Sequence, residues 1–188
     1  MTSKTHPAFI NGDRIELHPL KVAHAEIYVD WYNDLEIRRL SRMIKPTTIG
    51  RMQKAIENVN ASDSRIKFEI WHKVDQKPIG DIGLSDIEYH DRNAEYGLLI
   101  GEKEYWGQGY ATEAIKLILK YAFEEVNLHK IFAGISAWNI GSERSAVKAG
   151  MHLEATRKED WYIDGEYVDT HIYSIFKRDW MKANHEQF

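Results

Sequence analysis

Residues 105–112 read Tyr105-Trp106-Gly107-Gln108-Gly109-Tyr110-Ala111-Thr112, a turn in which two glycines precede an amphipathic pattern. Glycine lets a backbone approach a ligand without a Cβ in the way, and the small Ala111 permits tight packing of a first helical turn. The first N–H groups of a helix lack intrahelical acceptors and lie at the positive end of its dipole, so a turn of this kind can hold a phosphate. The competing reading is that the glycines serve only a strand-to-helix turn. Two other phosphate patterns fail: there is no GxxxxGK followed by Ser or Thr, and a dinucleotide fingerprint would need glycine where Thr112 stands. The chain has no cysteine, which excludes disulfides, cysteine zinc sites and thiol nucleophiles. None of its nine histidines forms HExxH or another ligand spacing, so no metal is expected.

The turn needs a strand before it and a helix after it. Residues 94–100 form a short apolar run ending at Gly101, as a strand buried in mid-sheet would. From Tyr110 to residue 125, Ala111, Ala114, Ile115, Ile118, Leu119, Ala122 and Phe123 recur at helical spacing. Upstream, the pattern predicts a strand over 14–20, a helix over 22–32, and two shorter helices over 35–40 and 49–59, the last near the capping residues Thr47 and Thr48. A hairpin follows, residues 68–73 returning as 79–89 through a turn at 75–78. Downstream come a strand over 130–138, a helix over 141–149 closed by Gly150, and a last hairpin, 153–163 with 167–176, turning at Asp164-Gly165. The tail from Lys182 reads as loose. This order predicts an α+β fold, a mixed sheet with parallel and antiparallel parts.

A length of 188 residues is one domain's worth, and 43% hydrophobic with 29% charged residues is the composition of an ordinary soluble globule. No repeat or low-complexity linker divides the chain, so a single domain over 1–188 is expected, with a helical lobe near 22–60 and a ligand-binding core near 80–180. There is no apolar run of about 18 residues and no apolar stretch at the start, which points to a cytoplasmic protein without a membrane partner. The net charge of −4 argues against nonspecific nucleic-acid binding and leans faintly toward a neutral or cationic substrate.

The glycine turn belongs to an ordered series of short motifs. They are Ala94-Glu95-Tyr96-Gly97 before it, Tyr110-Ala111-Thr112-Glu113-Ala114 on the helix, Asn127-Leu128-His129-Lys130-Ile131 entering the next strand, and Asn139 with Ser142 up to Lys148-Ala149-Gly150-Met151. This series, covering about residues 80–180, resembles the GNAT N-acetyltransferases of the RimJ/RimL type. Their signature Q/R-x-x-G-x-G/A is met by residues 106–111, with Trp106 at the first position. The resemblance implies acetyl-CoA as cofactor, a small-molecule or peptide primary amine as acceptor, and a homodimer as the assembly. The implied fold is a central mixed sheet with helices on both faces and a splayed parallel strand pair. In that gap the pantetheine arm would lie along Leu99 and Ile100, and the phosphates on Trp106, Gly107, Gln108, Gly109, Tyr110, Ala111 and Thr112. Asn139 is expected to hold the pantetheine arm, to cap the helix that follows, or both.

Aminolysis of a thioester needs a base for the amine and an acid for the departing thiolate. By resemblance Glu95 is the leading base, and Glu159 and Asp160 form a second carboxylate pair near the acceptor. The tyrosine that many family members carry in the helix after Asn139 is replaced here by Ala146, so Ser142, with Ser145 one turn away, becomes the candidate acid. Trp31 and Trp161 are candidate walls of the acceptor cleft. The rival reading is a noncatalytic acyl-CoA-binding module that has lost its acid.

Overall fold

The structure, a computed structural model, describes residues 7–185. Among them the chain forms β1 (Ile10–Asn11), β2 (Ile15–Pro19), α1 (Ala25–Asn33), α2 (Leu35–Ser41), α3 (Ile49–Asn60), β3 (Ile66–His72), β4 (Lys77–Glu88) and β5 (Asn93–Ile100). Then come α4 (Tyr110–Glu124), β6 (Lys130–Ser136), α5 (Ile140–Lys148), β7 (His152–Ile163), β8 (Glu166–Phe176) and α6 (Lys177–His185). The strands make one mixed sheet in the order β1-β2-β3-β4-β5-β6-β8-β7. The β5–β6 pair is parallel, and every other pair is antiparallel.

The apolar stripe of α4 is fully buried: Ala114, Ile115, Ile118, Leu119, Ala122 and Phe123 lie against Ile79, Ile82 and Ile131 of the sheet. Helices α1 to α3 close over a second core of Leu20, Tyr28, Trp31, Ile37, Met52 and Ile56. Successive residues of β5 report the two layers, because Leu98 packs with the α4 core and Leu99 with the helical-lobe core. Side chains alternate across a strand, so the lobe and α4 cover opposite faces of the sheet. Asp34 caps α2 by accepting from the N–H groups of Glu36 and Ile37, and Thr48 caps α3 through the N–H of Arg51.

Three expectations need correction, and one strand has no sequence signal. β1 has two residues, too few for any periodic signal. The helix expected from residue 22 opens with a separate 3₁₀ turn, Val22–His24, before α1. Residues 94–100 are not buried throughout: Gly97 is exposed and Leu98 and Leu99 are half-buried, because β5 loses its neighbour partway along. The tail expected to be loose from Lys182 is helical through His185, with residues 186–188 lying outside those described; the helix is anchored by Trp180, which is buried against Phe123 with ring centroids 5.6 Å apart.

Candidate active site

The glycine turn folds as its residue types dictate. Gly107 and Gly109 sit at φ +73° and +87°, left-handed conformations that strain any residue with a Cβ. Among the described residues no protein acceptor takes the backbone N–H groups of 107–112, which leaves an open row of donors at the start of a 15-residue helix. The turn is braced from behind. Arg14 donates to Glu113 at 2.9 Å and to the Gln108 carbonyl at 3.0 Å, and its guanidinium lies 4.4 Å from the Tyr110 ring centre. The Tyr110 hydroxyl meets His72 Nε2 at 2.9 Å, and the Trp106 indole N–H donates to the Ile100 carbonyl at 2.7 Å, tying the turn to the end of β5.

Beside the turn the sheet opens. β5 and β6 pair only at Asn93–Lys130, Ala94–Ile131 and Glu95–Phe132, after which the strands part. Glu95 stands at the parting point, half-buried, its Oε1 accepting from the Gly134 N–H at 3.3 Å. The gap continues into a cleft of about 910 Å³ whose walls include Glu95, Leu99, Ile100, 105–107, 109–112, Asn139 and Ser142. The free N–H row and the unpaired edges of β5 and β6 fit a phosphate-bearing, strand-like ligand, which is the shape of coenzyme A. Asn139 caps α5 through its Oδ1, which accepts from the Ser142 N–H at 3.0 Å. The Ser142 hydroxyl has no protein partner among the described residues, whereas the Ser145 hydroxyl donates to the Gly141 carbonyl at 2.9 Å.

On the lobe side three residues form a linked set that local sequence patterns do not reveal. Lys67 Nζ is 2.8 Å from Asp81 and donates to the Tyr32 hydroxyl at 2.7 Å, and that hydroxyl donates to Asp81 at 3.0 Å. Burial would lower the Lys67 pKa, but the adjacent Asp81 carboxylate and Tyr32 more than offset this and raise it. Burial, then Asp81, pushes the Tyr32 phenol up to about 12. Tyr96, next to Glu95, also lines the cleft; its hydroxyl is buried without a partner and burial raises its pKa.

The remaining predicted residues divide. Gln108 braces the turn, its side chain donating to the Glu104 carbonyl, without lining the cleft. Trp161 lines the rim, with Arg42 5.2 Å from its ring centre. Trp31 is not a cleft wall: it is 4% exposed, lies over Gly101 and donates to Glu102 at 2.8 Å, so it is a core residue of the lobe. Glu159 and Asp160 also fall outside the walls. They are exposed on a bulge of β7 where Glu159 has φ +51° and its N–H is held by Asp169.

Comparison with known proteins agrees with this geometry. The profile of the Acetyltransferase (GNAT) domain matches residues 14–152. A Bacillus subtilis (strain 168) protein named Probable N-acetyltransferase YjcK is 30% identical over 182 residues, covering 90% of this chain and 98% of that one. Spermidine N(1)-acetyltransferase of Escherichia coli (strain K12) is 30% identical over 112 residues, 60% of this chain and 59% of its own. The crystal structure of spermidine N-acetyltransferase from Vibrio cholerae in complex with CoA and spermine superposes with a TM-score of 0.82 at 22% identity, covering 89% of this chain and 98% of that one. An open phosphate turn at a helix start, a splayed parallel strand pair beside it and a family profile over most of the chain converge: the protein belongs to the GNAT acetyltransferase family and is an acyltransferase that uses acetyl-CoA.

Proposed function

We propose that the enzyme transfers the acetyl group directly to a primary amine in a ternary complex, with Glu95 as base. The observation that carries this reading is the position of Glu95, a carboxylate at the parting point of β5 and β6 and in the wall of the cleft that holds the glycine turn. Acetyl-CoA supplies an activated thioester; the amine nitrogen loses a proton as its bond to the acetyl carbon forms, and the departing sulfur gains one. Residues 107–112 hold and orient the donor through backbone N–H groups, and Asn139, which caps α5, lines the cleft beside the pantetheine arm. Glu95 accepts the amine proton, directly or through one water, while the Gly134 N–H fixes one carboxylate oxygen. Ser142, with an unengaged hydroxyl in the cleft wall, delivers the proton to sulfur.

The acceptor class comprises protein N-termini, amino sugars, polyamines and other small amines. Trp106 at the first signature position favours the RimJ/RimL branch, and the names of the spermidine-acetylating relatives place polyamines among the amines to test. Strand β7, an exposed sheet edge, is the surface through which a homodimer would form, which light scattering measures. The function is tested by acetyl-CoA consumption against a panel of amines, with CoA binding measured by calorimetry. Turnover with any amine is the expected result. CoA binding without turnover would favour a noncatalytic acyl-CoA-binding module.

A further inference from the structure

Next to the main cleft, and sharing Tyr32, Met43, Val59 and Lys67 with it, lies a second pocket of about 350 Å³. Its other walls come from Leu20, the α2–α3 connection and α3. Arg42, Lys45, Thr47 and Arg51 bring polar groups, over an apolar floor of Met52 and Ile56, and no aspartate or glutamate lines it. Lys67 is already neutralised by Asp81. Arg42, Lys45 and Arg51 are not: among the described residues none has a carboxylate partner, Arg42 lying over the Trp161 ring and Arg51 donating to the Pro46 carbonyl at 3.4 Å. Arg65, on the adjoining wall of the main cleft, is likewise without a carboxylate.

The acceptor side of the cleft therefore presents unpaired cations, while of its two carboxylates Asp81 is occupied by Lys67 and Glu95 faces the reacting end. A concave surface lined by one sign of charge concentrates the opposite sign, and arginine in particular makes strong charge-assisted hydrogen bonds to carboxylates and phosphates. A polycation placed here would bring positive charge onto positive charge.

We propose that the acceptor is an amine that also carries an anionic group, a carboxylate or a phosphate, which sits in this basic annex while the amine faces Glu95. This rests on the acetyl-transfer reading above and narrows it.

Matched pairs that differ in one anionic group test it: lysine against cadaverine, and phosphoethanolamine against ethanolamine, with spermidine as a polycation. Turnover is measured with the wild type and with Lys45→Glu, Arg51→Glu and Arg51→Gln, and binding of the same compounds to the CoA-loaded protein is measured by calorimetry. The expected result is a kcat/KM at least about tenfold higher for the anionic member of a pair, lost in both glutamate variants and reduced in Arg51→Gln, with CoA affinity unchanged. The pair with the larger ratio tells carboxylate from phosphate. Cadaverine, ethanolamine or spermidine turned over as well as or better than the anionic compounds overturns the annex and leaves acetyl transfer standing. If no amine is acetylated, the transfer reading fails and binding alone decides the annex: selective binding of the anionic member that the glutamate variants abolish upholds it, and its absence overturns it.

Discussion

At the scale of single residues, the cofactor turn depends on backbone shape more than on side chains. A Cβ on Gly109 would meet only the Arg14 guanidinium at 3.5 Å, so the constraint there is the φ of +87° and not space. Gly109→Ala is expected to weaken CoA binding modestly through strain of about 1–2 kcal/mol. Gly109→Asp adds a carboxylate beside the phosphates and should weaken it by more than about tenfold; calorimetry that finds unchanged affinity means the phosphates bind elsewhere. Ser142→Ala should lower kcat by about tenfold or more while CoA affinity holds, if its hydroxyl protonates the thiolate. A rate fall in Tyr96→Phe with Ser142→Ala unaffected would give that role to the buried phenol. The turn was legible in the sequence because its residues are contiguous. The Tyr32–Lys67–Asp81 set was not, because it joins a helix and two strands, with Lys67 paired across the sheet to Gly83 and not to Asp81. The adjacent carboxylates at 159 and 160 were singled out by the family resemblance, but the bulge in β7 sets them outside the cleft.

At the scale of elements, charged contacts tie the lobe and the outer strands to the loops that shape the site. Asp34 caps α2 and pairs with Lys103 at 2.8 Å, just ahead of the cofactor turn. Its carboxyl is held below the usual range first by the Lys103 hydrogen bond and then by the Ile37 N–H. Glu154 on β7 is lowered first by Lys130 and then by Ser174, across β8. A carboxylate whose folded pKa is depressed stabilises the fold above its unfolded pKa of about 4, and that contribution is lost as pH falls through the folded value. Melting temperature should therefore fall with acid below roughly pH 4, and Asp34→Asn with Glu154→Gln should flatten that limb. An unchanged acid limb in the double variant would show that these pairs do not couple to folding. Asp34→Ala should also cost about 1 kcal/mol through the lost cap. The long periodic elements, α4 above all, were read from the sequence nearly to their ends. What escaped was decided by contacts distant in sequence, as with α6, where the buried Trp180 holds a segment whose polar composition reads as a tail.

At the scale of the whole molecule, the helical lobe is tied to its face of the sheet at Glu69 of β3. This carboxylate is fully buried and its Oε1 accepts from the Lys21 N–H and the Tyr28 hydroxyl and meets His24 Nδ1, all within 3.0 Å. Glu69→Ala leaves several buried donors without an acceptor, and should destabilise the protein by about 2–4 kcal/mol in chemical denaturation. A loss below about 1 kcal/mol would show that the lobe is held by apolar packing alone. The net charge of −4 leaned toward a neutral or cationic substrate, but an average over the chain carries no information about a pocket that gathers Arg42, Lys45 and Arg51 from one short stretch. The mixed sheet and its splay followed from the order of elements and the family resemblance, whereas the annex required the lobe to be folded. The most direct measurement is the turnover of Glu95→Gln against the wild type across pH, with acetyl-CoA and the best amine, alongside CoA affinity. The expected result is a kcat lower by about 10²–10⁴-fold with CoA affinity unchanged. Full turnover by Glu95→Gln at every pH would contradict the assignment of the base at the parting of β5 and β6.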